Sequence, residues 1–70
     1  MRELIRNTVQ HIRDEKGLTQ AQLADALGVT RQTIIALEKG NYTPSVLLAL
    51  KIAQYFRMPV EKLFAVYNQK

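Results

Sequence analysis

Arg31, Gln32 and Thr33 stand in a row, and each can address the edge of a nucleobase. A guanidinium bonds O6 and N7 of guanine together, a carboxamide does the same with N6 and N7 of adenine, and a threonine methyl fits the methyl of thymine. That chemistry requires the three side chains to be presented together from a rigid support. The neighbouring residues predict one. Thr30 is a helix-capping residue type, and Ile34 and Leu37 follow it at helical spacing, so the three polar groups fall in the first turn of a helix.

The support extends backward through a second helix. Counting Gln20 as the first position, small or apolar residues occupy positions four, five, eight, ten, fifteen and eighteen: Leu23, Ala24, Leu27, Val29, Ile34 and Leu37. Two helices joined by a three- to four-residue turn cross steeply and approach closely. Ala24 is small enough for that crossing, Val29 can plug the corner, and Gly28 accepts the positive backbone torsion of the turn. Thr19 and Gln22 form a capping-box pattern for the first of these two helices.

Three more helices frame the pair. One is expected from about Asn7 or Thr8 to Lys16, with Val9 and Ile12 inward and Gly17 as its C-terminal cap. The helix opened by Thr30 ends at Gly40, and Asn41-Tyr42-Thr43-Pro44 forms a loop because Pro44 disfavours helix at Thr43. Ser45 caps a fourth helix reaching Phe56, with Leu48, Ile52, Ala53 and Phe56 inward. Pro59 suits the first turn of a short fifth helix ending near Phe64. The termini are ambiguous: Met1 to Arg6 either prolong the first helix or stay extended and pair with Ala65-Val66-Tyr67.

Composition narrows the classes. Seventy residues make a single domain, 1–70, near the lower limit for folding without help. Cysteine is absent and His11 is the one histidine, which removes disulfides and a zinc site of Cys and His, so no metal or cofactor is expected. His11 lies in no catalytic pattern and is expected to face solvent; no nucleophile, base and metal set can be assembled, so an enzyme is not expected. The net charge of +4 suits an anionic partner without specifying one. No apolar run is long enough to span a membrane and no secretory leader is evident, so a cytoplasmic or nucleoid location is expected, with no membrane partner. Tyr42, Tyr55 and Tyr67 are too scattered for a base-stacking platform.

The run from Leu18 to Ala24, Val29 to Ile34 and Leu37 to Gly40, continued by Asn41-Tyr42-Thr43-Pro44-Ser45 and Ala49 to Ala53, resembles the Cro and phage-repressor (XRE) type of helix-turn-helix regulator. It is most similar to the very small members with no ligand-binding domain. The resemblance covers about Val9 to Phe64 and implies an all-α, five-helix, lambda-repressor-like domain with its motif at about 20–39. A small β-pair of the two termini could be added to it. It implies a double-stranded DNA operator as partner, base contacts by Arg31, Gln32 and Thr33, and phosphate contacts by Gln20, Arg13, Lys39, Asn41, Tyr42 and Thr43. Arg13 and Glu38 match a pair often salt-bridged in the family.

The resemblance further implies a repressor acting as a homodimer on a near-palindromic site, with Met58, Pro59, Val60 and Leu63 as the expected dimer patch. No small-molecule ligand is evident. Ala36 stands where relatives often carry a Lys or Gln that reaches DNA, so base reading is expected to end at Thr33. Ile35 replaces a usual Ser or Asn. Leu47 takes a place usually held by Glu or Gln, on the outward side of the fourth helix, and Arg57 that of a helix-ending glycine. Two other classes fit the same residues: an antitoxin or partner-docking protein that also binds its own operator, and an RNA-binding adaptor. Asn68-Gln69-Lys70 is short for a toxin-binding tail.

Overall fold

Four of the five helices begin beside a residue whose side chain substitutes for the missing intrahelical partner of an N–H group. In the computed structural model, which describes residues 2–69, the order is β1 (Arg2–Asn7), α1 (Val9–Glu15), α2 (Gln20–Leu27), α3 (Arg31–Lys39), α4 (Val46–Phe56), α5 (Val60–Leu63) and β2 (Phe64–Gln69). Thr19 and Gln22 form the complete capping box of α2, with bonds of 3.0 and 2.8 Å. Thr30 Oγ1 accepts the Thr33 N–H at 3.2 Å, and Ser45 Oγ accepts the Leu48 N–H at 3.1 Å. For α1, Asn7 does this work: its Oδ1 accepts the Val9 N–H at 3.1 Å. Pro59 immediately precedes α5 rather than lying in its first turn.

Arg2 to Arg6 do not prolong α1. β1 pairs with β2 antiparallel, in register from Arg2↔Gln69 through Leu4↔Tyr67 and Ile5↔Val66 to Asn7↔Phe64. Leu4 faces Tyr67 and Ile5 faces Val66 across this ribbon, apolar cross-strand pairs of the kind that stabilise a sheet. The Thr8 N–H donates to the Leu63 carbonyl at 3.0 Å, and Asn7 Nδ2 donates to the Leu37 carbonyl at 2.9 Å, so the base of the ribbon is tied to the end of α3. Of the expectations for the termini, those for Met1 and Lys70 lie outside the described residues.

The core is drawn from all five helices: Val9, Leu23, Ala24, Leu27, Ile34, Leu37, Leu48, Ile52, Ala53, Phe56 and Leu63. Ile12, expected inward, is half-buried at its edge. Arg57 ends α4 with φ 57° and ψ 46°. A side chain in that left-handed region costs about 1–2 kcal/mol, and here the chain accepts the strain at the place where glycine would avoid it. Among the described residues no helix is long and apolar enough to cross a membrane.

Candidate nucleic-acid interface

The angle between α2 and α3 is set by a turn with little freedom. Gly28 takes φ 73°, its N–H donates to the Asp25 carbonyl at 3.3 Å, and the Val29 N–H donates to the Ala24 carbonyl at 3.0 Å. These bonds satisfy two of the carbonyls orphaned at the end of α2. A third, that of Leu27, accepts Nζ of Lys51 from α4 at 2.7 Å. A cation at a helix C-terminus is also favoured by the helix dipole. The turn is therefore held from inside the motif and from the helix behind it.

Beyond the turn, α3 presents Arg31 and Gln32 to solvent. Thr33 is half-buried, and its hydroxyl lies 3.1 Å from that of Thr30. The Thr33 hydroxyl is thus engaged at the helix cap, while Arg31 and Gln32 present their polar ends to solvent. Ile35 and Ala36 are half-buried on the following turn. At the end of α3 and just past it, Lys39, Asn41, Tyr42 and Thr43 are all exposed on one short stretch.

Arg13 and Gln20 are placed differently from a simple phosphate-binding role. Arg13 is only 8 % exposed. Its Nε donates to Glu38 Oε2 at 2.7 Å, Nη2 to Glu38 Oε1 at 3.2 Å and Nη1 to the Leu18 carbonyl at 2.7 Å. Asp14 approaches Nη1 at 3.3 Å. Every nitrogen of the guanidinium is engaged within the molecule, so Arg13 is an internal strut joining α1 to α3, as the expected pair with Glu38 implies. The hydrogen bond to Glu38 raises its pKa above the ordinary arginine value, against the opposing effect of burial. Gln20 Nε2 donates to Glu38 Oε1 at 3.0 Å. One amide hydrogen is engaged there, and the other, with the amide oxygen, stays available. Glu38 therefore fastens α1, α2 and α3 together at one point.

Sequence reasoning also missed Arg6. It is exposed, its guanidinium stands 5.7 Å from the centre of the Tyr67 ring, and it lines with Lys39, Tyr42 and Thr43 an open groove of about 380 Å³ between β1 and the α3–α4 loop. No local signal could reveal this, because only the pairing of the two termini carries Arg6 to the loop.

The expected dimer patch is partly drawn into the core. Leu63 is 1 % exposed and belongs to the core, so it cannot also meet a second molecule. Met58 and Val60 are half-buried against that core, and Pro59 is exposed.

Comparison with known proteins agrees with this geometry. A family model described as Helix-turn-helix matches residues 9–63. An uncharacterized HTH-type transcriptional regulator of Methanothermobacter thermautotrophicus is 57% identical over 61 residues, spanning 86% of this chain and 88% of the relative. The cryptic phage CTXphi transcriptional repressor RstR of Vibrio cholerae is 31% identical over 55 residues, covering 79% of this chain and 50% of that protein. Among solved structures, the restriction-modification controller protein C.AhdI from Aeromonas hydrophila superposes with a TM-score of 0.71 at 28% identity, over 77% of this chain and 82% of the other. The family match spans α1 to α5 and includes the α2–turn–α3 unit, and the chain belongs to the helix-turn-helix family.

Proposed function

We propose that this protein is a sequence-specific regulator of transcription that binds a near-palindromic double-stranded DNA operator as a homodimer, most simply as a repressor. The observation that carries the reading is the first turn of α3: Arg31 and Gln32 exposed side by side on a capped helix. That helix is fixed to α1 and α2 through Glu38. In helix-turn-helix proteins these N-terminal positions meet base edges in the major groove. Arg31 and Gln32 read bases, and the methyl of Thr33 supplies apolar contact.

Lys39, Asn41, Tyr42 and Thr43 hold the phosphate backbone past the other end of α3. The Gln20 amide N–H and its remaining side-chain donor do so at the start of α2. Arg13 acts indirectly, by fixing the angle of α3. The repressor reading draws on the resemblance to RstR, and repression follows from occlusion of polymerase. Two copies present their α3 helices about 34 Å apart, one turn of the double helix. With so short a base-reading surface, specificity leans on that spacing and on DNA shape.

Repeated selection of bound duplexes from a random pool tests the reading. The expected product is an inverted repeat whose half-site centres lie one helical turn apart. Enrichment of single-stranded or structured RNA over duplex DNA, or no enrichment, overturns it.

A further inference from the structure

Arg6 is a charged group to which the helix-turn-helix unit gives no task. It stands on β1, outside the residues that the family model matches. Antiparallel pairing sets Arg6 opposite Ala65 and Leu4 opposite Tyr67, so Arg6 and Tyr67 are diagonal neighbours on one face of the ribbon. The guanidinium lies 5.7 Å from the centre of the ring, within the range of a cation–π contact. The ring steadies the guanidinium without occupying its whole fork of N–H donors. Among the described residues Arg6 has no ion pair.

The ribbon that carries Arg6 is not a loose arm. One residue along, Asn7 Nδ2 donates to the Leu37 carbonyl at 2.9 Å, and Asn7 Oδ1 accepts the Val9 N–H at 3.1 Å. Arg6 is thereby held in place against the last turn of α3. Between them lies the groove of about 380 Å³, with Arg6 and Tyr67 on the ribbon side and Lys39, Tyr42 and Thr43 on the other. Its charges favour an anion. Arg6 and Lys39 bring two positive charges, and Tyr42 and Thr43 bring two hydroxyl donors. Glu3 and Glu38 line the groove as well. Glu38 is 3 % exposed and already bonded to Arg13 and Gln20, which leaves Glu3 as the one uncommitted carboxylate.

We infer that this groove is a phosphate-binding site outside the helix-turn-helix unit, in which Arg6, steadied by Tyr67, grips the DNA backbone beside Lys39, Tyr42 and Thr43. The choice of a DNA phosphodiester rests on the operator reading above, because the wall facing Arg6 is the loop that holds the backbone there. A guanidinium fork meets two phosphate oxygens at once. The groove has room for roughly a dozen water volumes, enough for a phosphate group and its bound water. A backbone contact adds affinity and fixes register without reading sequence. The paired termini thus widen the footprint of a protein whose base-reading surface is short.

Fluorescence anisotropy on the selected duplex and on an unrelated one, over a range of salt, tests the site. Arg6→Ala is expected to weaken binding to both by about tenfold and to flatten the dependence of log affinity on log salt by about one unit. Arg6→Lys keeps the charge but not the fork, and is expected to restore the slope and only part of the affinity. Lys16→Ala removes the same charge from a separate groove, beside Tyr55 and Arg57, and is expected to leave the slope unchanged. Ethylation of DNA phosphates is expected to reveal an interfering position for the wild-type chain that disappears with Arg6→Ala.

Glu3→Gln gives a readout that a poorly folded variant cannot imitate. Removing the uncommitted carboxylate is expected to tighten binding about twofold at low salt. An Arg6→Ala chain that matches the wild type, or loses no more than Lys16→Ala, overturns the inference and leaves the operator reading intact. Unchanged or weaker binding by Glu3→Gln does the same. A wild-type chain that binds no duplex overturns both.

Discussion

Replacing Glu38 by Ala removes the acceptor that joins three helices, and the structure lets its cost be worked out. The Arg13 and Glu38 side chains are 10 % and 3 % exposed. Breaking a buried pair by deleting one partner costs about 3–5 kcal/mol, because the remaining charge is stranded away from water. Two features moderate this. Arg13 keeps the Leu18 carbonyl and the nearby Asp14, and the released Gln20 amide can turn its oxygen toward the guanidinium. The expected loss is therefore at the lower end, about 3 kcal/mol.

A domain of this size has roughly 4–10 kcal/mol of total stability, so Glu38→Ala removes a large share of it. Urea unfolding at fixed protomer concentration measures the loss, since dimerisation would otherwise shift the midpoint by mass action. The double variant Arg13→Met/Glu38→Leu supplies the control. It removes the charge together with its partner and is expected to cost less than Glu38→Ala alone. A loss below about 1 kcal/mol for Glu38→Ala, or a double variant whose cost equals the sum of the two single ones, would refute the account of Glu38 as a buried fastener.

Other expectations follow from single contacts. Gln32→Ala should lose about 1–3 kcal/mol on the selected duplex and almost nothing on unrelated DNA, by fluorescence anisotropy; equal losses on both would mean that Gln32 reads no base. Lys39→Ala should weaken binding to all duplexes and flatten the dependence of log affinity on log salt by about one unit, and an unchanged slope would take Lys39 out of the footprint. Arg57→Gly should raise stability by about 1 kcal/mol by relieving the left-handed strain, with a lower urea midpoint counting against that strain. Lys51→Met should cost about 1 kcal/mol, since water can reach the Leu27 carbonyl in part. Lys51→Arg should recover most of it, and no recovery would argue that the ammonium's geometry and not its charge matters.

Much of the fold was legible because it is local. A helix start is a bond between residues three apart, so Thr19 with Gln22, Thr30 with Thr33 and Ser45 with Leu48 could be placed from residue type and spacing alone. The αL position of Gly28 follows from the same short range. The exposure of Arg31 and Gln32 is equally a consequence of helical periodicity, with Ile34 and Leu37 defining the buried side. The spacing from Gln20 to Lys39, which implies the helix-turn-helix pairing of α2 with α3, was legible for the same reason.

Other features depend on parts of the chain that meet only after folding. Whether Arg2 to Arg6 continue α1 or form a strand is decided by Phe64 to Gln69, some sixty residues away in the chain, because so short a segment has no intrinsic preference strong enough to choose. The resemblance pairs Arg13 with Glu38, but the burial of that pair and the added Leu18 carbonyl appear only in the folded chain. Leu63 looks like an interface leucine until β2 and the core close over it. Leu47 is the converse: helical periodicity already put it on the outward side of α4, and it is exposed there. Sequence by itself determined the elements and the polar face of α3, because hydrogen bonds and side-chain periodicity within one or two turns suffice for those. Only the tertiary structure decided which charges are struts and which apolar groups are left uncovered, because burial is a property of what packs against a residue from elsewhere in the chain.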